Sequence, residues 1–478
     1  MLRRVLSALV FAGFVAAGFV VPNVTVGLGD AVAEHEISVN ARDLQLVCPG
    51  AFFRSGGDAG SKVDSFSQQG TSALNGSFTS GGQGDLSVAT LNGVVVGQKP
   101  SGSVIEPLTL TANGSALHQG STLLNANQLQ LLNDSRAAGL FAAPCLPAAN
   151  EAWLLAADTS VGRESLLILN NPGSVNATVS VELFGTSGKI ATAGQGGISV
   201  PANATTVIPV ASLAPGLQAL AIHVLASSSA VTATLQQKTV RGLVAAGGDL
   251  VVPSTELAQQ LVIPGLFVRG VKDASKLIKS SADYADLVPT LRVFVPKGNK
   301  DTATVTAQVV GETAKDFGTV VRQTLTAGSI TDIPLYGLQD GNYAVFISSD
   351  APIRAALRLS RTNLTQKPIT DFTWLQPVAG ITEPVSLTVP SAGISKLSIA
   401  NAGSKPAAVT LKINGAERRF NLASESSAVI ELAKGAAVTL SASGQVQATL
   451  IVDVNFTVAN LALVDYQNRG SSVKVLVR

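Results

Sequence analysis

The sequence predicts an all-β chain of tandem immunoglobulin-like β-sandwich domains after an N-terminal transmembrane or signal helix, and three observations carry that prediction. The first is a recurring motif: Leu225 to Leu235 reads LASSSAVTATL, Ile347 to Leu357 ISSDAPIRAAL, and Leu440 to Leu450 LSASGQVQATL. Each copy ends in V/I-x-A-x-L, so that Val231, Ala233 and Leu235 alternate with Thr232, Thr234 and Gln236 at the period of a half-buried strand. With its small polar turn the motif reads as a β-hairpin. The second is composition: 46% hydrophobic, only 13% charged, with 45 Gly and 21 Pro, a β-rich and weakly charged chain. The third is length, since 478 residues against roughly 100 to 200 per domain give three or four domains.

The N-terminus comes first. Arg3 and Arg4 precede an apolar run from Val5 to Val21, which Pro22 ends. At ~1.5 Å per residue the run spans about 26 Å, the short limit for a ~30 Å hydrocarbon core, so an uncleaved anchor and a cleaved signal peptide both fit. Ala31, Val32 and Ala33 offer an A-x-A site, but far from the run, which favours the anchor. The arginines keep the start inside and place the rest outside the cytoplasm. The expected location is a single-pass protein of the cell membrane, or a secreted one if cleaved after Ala33.

In an exported protein an isolated pair of cysteines favours a bridge over two separately buried thiols, so Cys48 and Cys145 are expected to form a disulfide around a loop of about 100 residues, stabilising by up to ~4.7 kcal/mol in the chain-entropy treatment. Between them lies a Gly-rich stretch with strands read at Leu86 to Val96, Val104 to Leu110 and Leu129 to Leu132. LNDSRAAGLFA, Leu132 to Ala142, reads as a worn first copy of the hairpin motif.

The next unit is the clearest. Leu166 to Leu169, Ala177 to Phe184 (ATVSVELF), Ile198 to Val200 and Thr206 to Val210 read as strands with turns between them, then the motif, as in a sandwich. LRVFVPKG from Leu291, ATVTAQVVG from Ala303 and DIPLYG from Asp332 repeat the order, and LSIANAG from Leu397, AAVTLKING from Ala407 and AVIEL from Ala428 repeat it again. The expected domains are a Gly-rich β domain over 34–145, sandwiches over 146–252 and 369–478, and a helical linker plus sandwich over 253–368. The linker helices are read at Glu256 to Leu261 and Ala274 to Leu287. A final hairpin is read from Val458 to the end.

Higher repetition overlies this. QLVCPGAF at Gln45 to Phe52 is echoed by QLVIPGLF at Gln260 to Phe267, and Trp153 by Trp374. Such isolated tryptophans read as core or interdomain plugs, each costing ~3 to 5 kcal/mol on truncation to Ala. The rival reading is a glycan-stacking platform, which would need Trp153, Trp374 or Tyr284, Tyr336 and Tyr343 exposed together.

Chemistry is sparse. No G-x-S-x-G is present, and Ser227 to Ser229 belong to the repeated turn. His35 between Glu34 and Glu36 reads as a solvated charge cluster rather than a metal site; His118 and His223 stand without spaced acids, and His223 is expected at the surface. Asp283 with Asp286, and Glu425 with Glu431, lack a calcium-loop ladder. Gly81 to Gly84 and Gly194 to Gly197 do not open a helix after a strand. The triplets at Asn113, Asn176 and Asn203 would matter only in a eukaryotic secretory path. A net charge of +2 offers no field for nucleic acid. No catalytic residue, cofactor or metal ligand is expected.

Through C-L-P, EAWLLA, GRESLLILNNPG and ATVSVELFG between Cys145 and Gly188, the sequence resembles an uncharacterised actinobacterial family of exported, membrane-anchored β-rich proteins, a domain of unknown function. The resemblance implies an envelope protein with an N-terminal anchor and tandem β-domains, and no activity. The expected function is a non-enzymatic scaffold or binding module for an envelope protein or cell-wall polymer, held to the cytoplasmic membrane by its N-terminal helix. The alternatives are a wall glycan-binding module and, further off, a hydrolase or transferase.

Overall fold

The computed structural model describes residues 33–39, 43–56, 66–79, 85–113, 123–191, 196–254, 256–313, 318–365, 368–463 and 471–477. The apolar run at the N-terminus and His118 lie outside them. No helix among the described residues is long and apolar enough to cross a membrane.

β1 (Ala33–Val39) opens the described chain. The first module follows with β2 (Leu44–Cys48), β3 (Phe52–Ser55), β4 (Phe66–Gln69), β5 (Ser72–Thr79), β6 (Leu86–Thr90), β7 (Val95–Gly97), β8 (Gly102–Val104), β9 (Leu108–Ala112), β10 (Leu123–Asn133) and β11 (Ala138–Pro144). They build an outer sheet, β2-β9-β6-β7, and an inner sheet, β8-β5-β10-β11, with β3 paired to β4. The second module has β12 (Glu151–Ala157), β13 (Arg163–Asn171), β14 (Ala177–Gly185), β15 (Gly188–Ile190), β16 (Ile198–Val200), β17 (Ala204–Pro209), a single turn α1 (Val210–Leu213), β18 (Leu220–Ser227), β19 (Thr232–Arg241) and β20 (Val244–Val251). Its sheets repeat the pattern as β12-β18-β14-β15 and β17-β13-β19-β20.

The third module has β21 (Ala258–Val268), α2 (Val271–Ser280), a 3₁₀ turn over Ala282–Leu287, then β22 (Thr290–Phe294), β23 (Thr302–Gly311), β24 (Val320–Thr326), β25 (Ile330–Pro334), β26 (Gly341–Asn363) and β27 (Ile369–Leu375). The fourth has β28 (Val385–Thr388), β29 (Ile394–Asn401), β30 (Ala407–Ile413), β31 (Ala416–Leu422), β32 (Ser426–Leu432), β33 (Ala437–Ser443), β34 (Val446–Val454) and β35 (Thr457–Ala462), in sheets β28-β33-β30-β31 and β32-β29-β34-β35. In the third module β26 serves both sheets. Its first half pairs with β21 and β23, its second half with β22 and β27.

Sequence dictates which face is buried. In β14, Ala177, Val179, Val181 and Leu183 are fully buried while Thr178, Ser180, Glu182 and Phe184 are not, the alternation of an antiparallel strand with one solvated face. Leu154, Val181 and Ile222 of one sheet share a core with Leu167, Ala233 and Leu235 of the other, and the third and fourth modules have equivalent cores. Each such leucine, isoleucine or valine contributes about 1.5 to 3 kcal/mol. Within the second module β13 lies between β17 and β19, and β14 lies beside β18.

The recurring motif is therefore not a hairpin. β18 and β19, joined by Ser228 to Val231, belong to different sheets, and in the third module the chain crosses between sheets without leaving β26. Alternation specifies strand, turn and strand, but it is the same whether the strands pair or part. Leu132 to Ala142 is a true hairpin of β10 and β11 and so is not a copy of the motif. Ile369 to Leu375 pairs with β26 and closes the third module rather than opening the fourth. The region read as helical at Glu256 to Leu261 enters β21, where pairing with β26 overrides local propensity, and the helices sit between the first two strands of that module. The expected last hairpin also differs: β36 (Ser471–Val477) pairs antiparallel with β1, forming a small body by itself.

Candidate functional site at the four-strand hub

The last strand of each inner sheet turns inward. β11 packs against β20, β20 against β27, β27 against β35 and β35 against β11, so four modules close into a ring. Small residues permit this. A Cβ on Gly139 would stand 2.6 Å from the Gly248 nitrogen, and one on Gly247 would stand 2.8 Å from the Asp371 Cα, with φ at +134° and +110°.

Asp371, wholly buried on β27, ties the ring. Its Oδ2 accepts the backbone N–H of Leu140 on β11 at 3.1 Å and of Val458 on β35 at 2.9 Å, while Oδ1 accepts that of Gly248 on β20 at 3.0 Å. One carboxyl thus contacts the other three modules. Asp249 on β20 accepts from the Trp374 N–H at 2.7 Å and the Thr373 hydroxyl at 3.2 Å, and its Oδ1 is buried without a partner. Burial pushes both acids up, Asp371 to about 7 against its backbone donors and Asp249 to about 8, the latter with a further push from the Asp371 charge. Asn460 on β35 completes the set by donating to the Thr373 hydroxyl and the Trp374 carbonyl.

Polar ties repeat at each junction. Gln236 grips the Phe53 backbone at both ends of its amide, joining first to second. Arg163, Arg241 and Arg358 surround Asp286, joining second to third. Burial pushes the Asp286 carboxyl up, but the charges of Arg358, Arg241 and Arg163 outweigh it and hold it down at about 2. Arg361 on Asp453 joins third to fourth, and Asn125 with Ser386 and Thr388 joins fourth to first.

Cys48 and Cys145 are disulfide-bonded, as the sequence predicts. Trp153 and Trp374 lie at the second junction, 9% and 3% exposed. Trp153 stacks on Phe294 across modules at 5.0 Å, and Trp374 donates its indole N–H to Gln237 at 2.9 Å beneath Arg292. They are plugs at one junction but not equivalent ones, since β12 and β27 hold different places in their modules. Tyr343 is buried as well, whereas Tyr336 is 69% exposed. His223 corrects a further expectation. Its ring lies on Trp153 at 4.0 Å with Nδ1 at 3.0 Å from Glu182 and Nε2 at 3.0 Å from Glu151, so both nitrogens are occupied by carboxylates. No three His, Cys, Asp or Glu side chains gather as a metal site among the described residues.

Where the four central strands end, the connectors between modules converge around a cavity of about 180 Å³. Pro144 ends β11, Val252 and Pro253 follow β20, Gln376 and Pro377 follow β27, and Leu463 follows β35. Prolines remove backbone donors from the wall and leave it mainly apolar. Gln376 is the exception. It is 4% exposed and neither amide atom has a hydrogen bond. Glu151 lines the same cavity, its carboxylate lowered by the hydrogen bond from Trp153, against burial, and by His223. Sequence reasoning did not single out Asp249, Asp371 or Gln376. The available signal was an acid inside an apolar strand, as in GGDLVV and ITDFTWL.

The chain matches none of the curated proteins with which it was compared. Among solved structures, a Ca²⁺-stabilised, ice-binding adhesin of an Antarctic bacterium aligns with 82% of this chain and 93% of its own at 10% identity, with a TM-score of 0.11 that carries no argument. The profile of a family of unknown function, DUF5719, matches residues 94–399, the span from the edge of the first module into the fourth, and this chain therefore belongs to that family.

Proposed function

We propose that the protein is a non-enzymatic scaffold or binding module of an actinobacterial cell envelope, anchored in the cytoplasmic membrane by its N-terminal apolar segment with the bulk of the chain outside. The observation that carries this reading is the free edge of the first module. Among the described residues β7 has only β6 beside it, and Val94, Val95 and Val96 are 59%, 63% and 58% exposed. An apolar edge strand is a template for a strand of another protein, with main-chain hydrogen bonds supplying affinity and alternate side chains specificity. The ring supports the reading because it holds that edge on a rigid body. The disulfide suits an oxidising compartment outside the cytoplasm.

The test is a photo-crosslinking amino acid in place of Val95 in cells, with mass spectrometry of the adducts. Recovery of one or two envelope proteins, lost when the flanking Val94 and Val96 are both changed to Lys, supports the reading. Recovery of wall polymer alone, or of nothing, sinks it. Fractionation checks the anchor: the chain belongs in the membrane pellet and is cut by protease added outside intact cells.

A further inference from the structure

We infer that the cavity at the end of the hub is a binding site for a small neutral amide that carries an aliphatic chain. This goes beyond the scaffold reading, because the site lies where the connectors converge and needs no partner at β7.

Three features point to that chemistry. The cavity of about 180 Å³ is walled by groups such as Pro144, Val252 and Leu463, and an apolar cavity of roughly 150 Å³ is enough to take a molecule of benzene's size. Six to eight aliphatic carbons are of the right order. Next, Gln376 lines the cavity with its amide nitrogen and oxygen both buried and both without a hydrogen bond. An unmet donor and acceptor on one planar group are matched best by the acceptor and donor of another amide. Finally, the Glu151 carboxylate shares the lining, and its negative charge opposes an anionic head. A fatty carboxylate is therefore disfavoured where a carboxamide is accepted.

The connectors explain why such a site would form. The first three modules send their chain on from the hub at this end, and Pro144 at the end of β11, Pro253 after β20 and Pro377 after β27 have no N–H to donate to a continuing ladder. Alone, no module encloses the space. The ligand would touch segments from all four, so its binding would tighten the ring.

Calorimetric titration of the full chain with octanamide, octanoate and N-acetyl-leucinamide tests the inference. Saturable binding of octanamide or N-acetyl-leucinamide, at least tenfold tighter than octanoate, supports it. The tighter of the two amides tells whether the natural source is an acyl amide or a polypeptide segment. Two variants read the site directly. Ala379→Trp, at an exposed lining position, should block binding while leaving the fold intact by circular dichroism. Gln376→Leu should keep the apolar wall and weaken either amide about tenfold, the worth of one or two hydrogen bonds. Absence of saturable binding by both amides, equal binding of octanoate, or binding indifferent to both variants overturns the inference.

Discussion

Asp371 accepts the backbone N–H of Val458 at 2.9 Å, from 87 positions further along the chain, and with it the N–H groups of Leu140 and Gly248. Removing the carboxyl leaves three buried donors unmet at about 1 to 3 kcal/mol each. Asp371→Ala is expected to lower stability by roughly 3 to 6 kcal/mol in urea unfolding. Asp371→Asn should fall between, because its amide oxygen keeps the two-donor position while its nitrogen confronts the Gly248 N–H. A loss below about 1 kcal/mol for Ala would show that the ring does not depend on this carboxyl.

The same acids set an alkaline limit. Burial raises Asp371 to about 7 and Asp249 to about 8, so between pH 4 and pH 8 the folded chain binds protons that the unfolded chain has released. Stability then falls as pH rises through that window, by an amount on the order of several kcal/mol, and levels off above both values. Urea midpoints from pH 5 to 9 should decline, and Asp249→Asn should flatten the slope. A midpoint that rises across this range contradicts the assignment.

Asp286 sets the opposite limit. Its carboxyl is held at about 2 by Arg358, Arg241 and Arg163 despite burial, so its contribution is present above pH 4 and is lost as pH falls through 2. That is about 2 kcal/mol of acid-sensitive stability. Asp286→Ala should cost more, about 3 to 5 kcal/mol at pH 7, because it strands three arginines at the junction of the second and third modules. Acid unfolding between pH 4 and 2 should lose its steepness in the variant.

The strands themselves are written plainly in the sequence, because a half-buried strand such as ATVSVELF shows its two faces at a period of two. Pairing is not. The crossing of the chain from one sheet to the other at Leu225 to Leu235, and the pairing of β36 with β1 rather than β35, leave that period unchanged. Closure of the ring was legible only as anomalies. Asp249 and Asp371 interrupt apolar runs, and Gly139 and Gly247 interrupt strands, signals whose meaning depends on which strands meet. His223 was misread for the same reason: its acids come from β12 and β14, its neighbours in the sheet, at separations of 72 and 41 residues.

With two tryptophans in the chain, fluorescence reads one junction. Trp153 and Trp374 are both buried where the second and third modules meet, so native emission should be blue-shifted and nearly inaccessible to iodide. Trp374→Phe should cost about 1 to 3 kcal/mol, chiefly by leaving the Gln237 amide oxygen without its donor. Strong iodide quenching of the native protein would show a surface aromatic and reopen the glycan-stacking reading.

The disulfide fastens the end of β2 in the outer sheet to the residue just past β11, the hub strand of the first module. Its partners are already held side by side, because Val47 and Leu146 exchange backbone hydrogen bonds at 2.7 and 2.9 Å. The bridge therefore acts mainly on the unfolded chain, closing a separation of 97 residues. Chain entropy sets an upper bound of ~4.7 kcal/mol, and typical bridges deliver about 2 to 4. Replacing both cysteines by alanine should lower the unfolding free energy from urea titration by that amount while the two tryptophans stay protected from iodide in the absence of urea. Equal stability of the oxidised and reduced chains would mean that the unfolded state is held compact at this end by something other than the bridge. Exposure of the tryptophans on reduction alone would mean that the ring itself opens when the first module is released.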